Sequence, residues 1–98
     1  MNQTTPTVSV CIANYNGMGV IDDCLRSVLA QQGDISVEIL VHDDASTDGS
    51  VAHIRDNYPN VTLIESAENV GFCIANNRMV TRARGQFFIQ FDDGERAL

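Results

Sequence analysis

Lysine is absent from this sequence. That excludes a P-loop lysine reaching phosphates, a Schiff-base lysine, and the lysine that a response-regulator receiver domain would use. Positive charge is scarce altogether, and the net charge is −7. Nucleic acid needs a basic footprint and is excluded as a partner class. No apolar run is long enough to span a bilayer, and the N-terminus (Met1 to Pro6) lacks a basic region followed by an apolar core. The chain therefore reads as cytoplasmic. The three cysteines, Cys11, Cys24 and Cys73, are odd in number and widely spaced, with no CxxC and no zinc pattern. Each lies among apolar neighbours, which predicts reduced core cysteines. The two histidines, His42 and His53, form no HxxxH pair.

What remains is a single small domain of 98 residues, 44% hydrophobic. Its most informative stretch runs from Glu38 to Ser50. A short apolar run, Ile39 to Val41, stops at two carboxylates, Asp43 and Asp44, and a polar turn follows. Runs that are apolar throughout mark strands buried on both faces, so a strand is expected over Val37 to His42. The same reasoning gives strands at Val8 to Ala13, Val61 to Glu65 and Phe87 to Phe91.

Between them the period changes to that of helices. Ile21, Cys24, Leu25, Val28 and Leu29 fit an apolar helical stripe, with Asp22 and Asp23 in the first turn and Gly33 as a stop. A second helix is expected near Ser50 to Tyr58, closed by Pro59. A third is expected near Phe72 to Arg84, with Phe72, Ala75, Met79, Val80 and Ala83 as its buried face. The order βαβαβαβ implies a mostly parallel α/β sheet, Rossmann-like, with helices on both faces and right-handed crossovers.

If the strands are parallel, their carboxyl ends share one edge, where open α/β sheets bind ligands. That edge would collect Asn14, Tyr15, Asn16, Asp43, Asp44, the Asn69–Gly71 loop, Asp92 and Asp93. Clustered carboxylates suit a hard cation, Mg2+ or Mn2+, held together with substrate phosphates. Such an ion would reverse the local sign and let an acidic edge accept a diphosphate. Tyr15 could stack on a base, and Asp44 could accept a hydrogen bond from a ring N–H. Gly17-Met18-Gly19 imitates half of a dinucleotide fingerprint, but its third glycine is missing, and Asp22-Asp23 occupy the helix start where a pyrophosphate would sit.

Several stretches together resemble the family 2 glycosyltransferases, nucleotide-sugar-dependent enzymes of the GT-A fold. Val8 to Asn16 is similar to the family's first strand and Tyr-Asn turn. Glu38 to Ser50 is similar to its second strand with the Asp-Asp-x-Ser-Thr-Asp-Gly-Ser signature. Asn69-Val70-Gly71-Phe72, Ala75-Asn76-Asn77-Arg78 and Ala83-Arg84-Gly85 resemble its loop and third helix. The resemblance implies inverting transfer of a sugar from a UDP-, TDP- or GDP-linked donor to a glycan or lipid-linked acceptor. Ala13, Asn14, Tyr15, Asn16, Asp44, Gly71, Asn77 and Asp92 would then border the nucleotide. Asp92 and Asp93 would supply the metal site.

Counted without a gap from Gly85, Asp92 matches the first acid of the family's Asp-x-Asp motif, but its last acid becomes Gly94. A one-residue shift gives Asp93 the ligand role, and Glu95 is a third candidate. The family's general base and acceptor-binding half have no counterpart here. The chain is therefore expected to be the N-terminal, donor-binding part of a longer protein, inactive alone and, in the full-length protein, working in the cytoplasm or at a membrane surface. The competing reading is a non-catalytic α/β binding or interaction module.

Overall fold

In a computed structural model, residues 6–30, 36–85 and 87–94 are described, the last stretch through its backbone. The expected alternation is present: β1 (Val8–Tyr15), α1 (Ile21–Ala30), β2 (Val37–Asp44), α2 (Ser50–Asn57), β3 (Thr62–Ser66), α3 (Phe72–Arg82) and β4 (Phe87–Gly94). The strands pair in parallel in the order β3-β2-β1-β4. The chain thus builds outward from β1 to β3, then recrosses through α3 to pair β4 on the free side of β1. That reversal makes the carboxyl ends of β1 and β4 the topological switch point, the usual ligand position in such sheets.

Strand alternation sorts the core into two layers. Val10, Ile12, Ile39 and Val41 meet Ile21 and Leu25 of α1 and Ile54 of α2. Cys11, Ala13 and Leu40 point the other way, against Met79 and Phe72 of α3. Helices therefore cover both faces, as the apolar runs of β1 and β2 require. Asp22, in the first turn of α1, ties the two helices on one face together. It accepts from His53 Nε2 and Tyr58 Oη, both at 2.7 Å. Those hydrogen bonds hold its carboxyl below the usual carboxylate range.

Several expectations are corrected. β1, β2 and β4 each run two or three residues further than their apolar runs, because the ladders continue through Asn14↔Asp43 and Asn14↔Asp93. Asp43 and Asp44 are thus strand residues, not loop residues. α3 stops at Arg82 rather than Arg84, since Ala83 is extended and the next backbone N–H groups bond to β1 and β2. Leu29 is 42% exposed at the end of α1. Cys11 is buried as expected, but Cys24 is only partly buried and Cys73 is exposed on α3. Gly33 and Glu95 lie outside the described residues. Among those residues no helix is long and apolar enough to cross a membrane.

Leu25 is fully buried against both strands and α2. Leu25→Ala is expected to cost about 2–5 kcal/mol, measured as the change in unfolding free energy in urea.

Candidate functional site

The strand-end edge is assembled from side chains that first have to satisfy one another. Asn14 and Asp43 are register partners, and both are buried. Asn14 Nδ2 donates to Asp43 Oδ1 at 2.7 Å and to Ser50 Oγ at 2.9 Å. Asp43 also accepts from Ser46 Oγ at 2.7 Å and from the Ser46 backbone N–H at 3.0 Å. The turn after β2 is folded by this carboxylate, with Ala45 held at φ 62°, a left-handed conformation that costs an alanine roughly 1–2 kcal/mol.

The turn after β1 is stitched to the turn after β2 at three points. Asn16 N–H donates to Ser46 Oγ at 2.9 Å, Thr47 N–H donates to Asn16 Oδ1 at 2.9 Å, and Met18 N–H donates to Asp48 Oδ2 at 3.0 Å. Asn16 sits at φ 52°, where asparagine is favoured among non-glycine residues. Asp48 also accepts from Ser50 N–H at 3.0 Å. Its carboxyl is pushed up by burial but brought below its ordinary range by the hydrogen bonds of Ser50 and Met18.

Asp44 serves a third loop. Its two oxygens accept the backbone N–H groups of Val70 at 2.6 Å and Gly71 at 2.9 Å. Gly71 has φ 87°, which explains the glycine at the start of α3. Asp44 is fully buried, so its carboxylate accepts from a further N–H only when the packing around it opens.

The fold therefore brings Asn14, Tyr15, Asn16, Asp44 and Gly71 to one edge, with Tyr15 half-buried there. Ala13 reaches the same edge but is fully buried in the α3-side core. On β4 the backbone of Asp92 stands opposite Ala13, Asp93 opposite Asn14 and Gly94 opposite Tyr15. Asn77 is not brought to the edge. It lies exposed midway along α3, lining a groove with Ile64, Ile74, Arg78, Thr81 and Arg82. Among the described residues, no group of three His, Cys, Asp or Glu side chains could hold a metal.

Sequence reasoning missed two features. Ser46 and Ser50 are structural partners of Asn14 rather than generic turn residues. His42 is fully buried on the α3 side of β2, with Arg78 Nη1 3.2 Å from its Nε2. An arginine can only donate, so Nε2 accepts and the ring is neutral. The alternation of Leu40 and His42 could have placed the ring on that face, but only the fold brings Arg78 to it.

The comparisons with known proteins agree with this arrangement. A family model described as Glycosyl transferase family 2 matches residues 9–94. An uncharacterized glycosyltransferase of Escherichia coli K12, YibD, is 35% identical over 95% of the chain and 28% of its own length. The succinoglycan biosynthesis protein ExoO of Rhizobium meliloti is 37% identical over 92% of the chain and 26% of its own length. The chain thus spans less than a third of these relatives. Among solved structures, a mannosyltransferase from Pyrobaculum calidifontis in complex with GDP-Man and Mn2+ superposes with a TM-score of 0.78. It is 30% identical, and the match covers 91% of this chain and 28% of that one.

Two outcomes follow from the geometry. Asp43→Ala removes the acceptor of one Asn14 amide hydrogen, of the Ser46 N–H and of the Ser46 hydroxyl, and is expected to cost about 1–3 kcal/mol for each group left unpaired, read by urea unfolding. Burial, and then the Arg78 charge, lowers the pKa of His42, with Asp44 and Asp43 opposing. The folded value lies below the unfolded one of about 6.5, so the stability tied to the neutral ring is complete above about pH 6.5 and is lost as pH falls toward the folded pKa. NMR titration of the His42 ring should give a midpoint below about 6.5.

Proposed function

The chain belongs to glycosyl transferase family 2, and from that premise we propose that its strand-end edge is the donor site of an inverting glycosyltransferase. There a nucleoside diphosphate sugar is held with a divalent cation, and the sugar passes to an acceptor hydroxyl. The observation that carries this reading is the convergence of three separate segments on one edge: Asn14–Asn16, Asp44 with its Val70–Gly71 loop, and the Asp92–Asp93 backbone. The Pyrobaculum relative, which has GDP-Man and Mn2+ bound, supports the choice of ligand class.

The geometry supports the following assignments. Tyr15, half-buried at the rim, stacks on the base. Asp44 holds the Val70–Gly71 loop as one wall of the nucleoside pocket, and reaches a base N–H when that loop opens. The donor set available to a metal is oxygen only. Asn14 Oδ1 is buried and accepts no hydrogen bond, and its partner across the β1–β4 ladder is Asp93. Oxygen donors fit Mg2+ or Mn2+, which need only one or two carboxylates when substrate phosphates and water complete the shell. Such an ion neutralises the diphosphate against the acidic edge and eases its departure. Consecutive strand residues face opposite ways, so the ion takes its carboxylate from one of the two candidates on β4, Asp92 or Asp93. An inverting transfer also needs a base for the acceptor hydroxyl, and none of the edge residues takes that role.

One observation favours a second reading, a nucleotide-binding module without catalysis. Gly94 stands opposite Tyr15, where the Asp-x-Asp pattern, counted without a gap, has its last acid.

Calorimetric titration with GDP, UDP and TDP, each with and without Mn2+, separates the two. The donor-site reading expects Mn2+-dependent binding of one of them, weakened at least about tenfold, or about 1.4 kcal/mol, by Asp93→Ala or Asp92→Ala. Binding indifferent to Mn2+ and to both substitutions supports the non-catalytic module. A folded chain that binds no nucleotide overturns the donor site.

A further inference from the structure

At the opposite end of the sheet, the turn between α3 and β4 is fastened to β1 and β2. Ser9 and Glu38 are register partners. Ser9 is fully buried, and its Oγ donates to Glu38 Oε2 at 2.6 Å. The Arg84 backbone N–H donates to the same Glu38 oxygen, and Arg84 Nε donates to Oε1 at 3.2 Å. Gly85 N–H donates to Ser9 Oγ at 2.8 Å. The Glu38 side chain is only 10% exposed. Burial alone would raise its pKa, but the hydrogen bonds from Arg84 and Ser9 carry it below the ordinary range, so the carboxylate stays charged in the clamp.

The backbone here is as tightly constrained as the side chains. A methyl group on Gly85 would lie 2.6 Å from Ser9 Oγ, 2.7 Å from Ser9 N and 2.9 Å from Val8 C. Two of those atoms are main chain and cannot step aside. The turn therefore has one seat, and only Gln86 separates it from the first residue of β4.

β4 needs such an external reference. Among the described strands it pairs only with β1. Its run Phe87-Phe88-Ile89-Gln90-Phe91 is apolar in both alternating phases except at Gln90, so hydrophobic pattern fixes its register weakly. Its acids are consecutive, so a one-residue slip in one direction puts Asp93 opposite Ala13, and in the other puts Asp92 opposite Asn14. We propose that Ser9 and Glu38 are positioning residues that lock the register of β4 through Gly85 and Arg84, and so decide which of Asp92 and Asp93 stands opposite Ala13 and which opposite Asn14. The lock acts over four residues of strand, about 13 Å. Its consequence for metal binding rests on the donor-site reading; the lock itself is a statement about strand pairing.

The test uses the labelled 98-residue chain and three variants, Gly85→Ala, Glu38→Gln and Ser9→Ala. Cross-strand NOEs report the pairing, and Mn2+ broadening of the Asp92 and Asp93 amides in the presence of GDP reports the acids. The wild type should show Ala13–Asp92 and Asn14–Asp93 contacts. The variants should lose these contacts or move them by one residue while β1–β2 contacts persist, and Mn2+ should bind at least tenfold more weakly. A merely stabilising clamp would lower the unfolding midpoint and leave the NOE pattern native, and that result overturns the proposal. If Gly85→Ala does not fold, the two side-chain variants decide. A wild type that binds no Mn2+ while the variants still shift their NOEs removes the donor-site reading and leaves the lock standing.

Discussion

Two adjacent carboxylates are buried at the end of β2, and most of the strand-end edge is arranged around satisfying them. An ion taken out of water costs several kcal/mol unless hydrogen bonds compensate. Asp43 is compensated from its own turn and from Asn14 on the neighbouring strand. Asp44, pointing to the opposite face, is compensated by the loop that precedes α3. Because strand alternation sends the two carboxylates to opposite faces, one dipeptide anchors loops on both sides of the sheet. The turn after β1 is then fixed at second hand, through Ser46, Thr47 and Asp48.

The fold was legible in the sequence for a plain reason. β1 and β2 are buried on both faces and read as unbroken apolar runs, while α1 and α3 carry stripes at helical spacing. The buried members Ile21, Leu25, Ala75 and Met79 all fall on the anticipated faces. The misreadings sit where apolar pattern stops carrying information. A strand that ends in Asn14 or Asp43 looks finished when its hydrophobic residues run out, yet the backbone ladder continues because side-chain hydrogen bonds make burial of those polar groups tolerable. Leu29 fits the stripe of α1, but at the helix end it stays partly exposed. Ala83 and Arg84 fit a helical pattern equally well; the Ala83 N–H still bonds back into the helix, but Glu38 on a distant strand takes the Arg84 N–H and the chain turns away there.

The candidate site divides along the same line. That Asn14, Tyr15, Asn16, Asp44 and the Asn69–Gly71 loop would meet follows from parallel topology alone, and topology was readable. What each side chain does at the edge was not, because residue type does not reveal a partner. Asp44 grips the Val70–Gly71 loop, a partnership that its residue type did not announce. Asn77 shares a helix with residues that approach the sheet, but its place on the outer surface of α3 depends on helix rotation, which the apolar face of Phe72, Ala75 and Met79 determines. His42 lacked any signal of its electrostatic setting, since Arg78 lies 36 residues away in the chain.

The knitting of Asp43, Ser46, Asp48 and Ser50 into a self-supporting turn bears on how such a stretch can persist through descent. Every polar residue of it that forms these bonds answers to the architecture of the turn, so selection for a foldable loop would keep the string Asp-Asp-x-Ser-Thr-Asp-Gly-Ser whether or not a nucleotide ever sits beside it. The stretch would then outlast the loss of chemistry in a lineage. An inventory of enzymes built on this string alone would count inactive descendants among them.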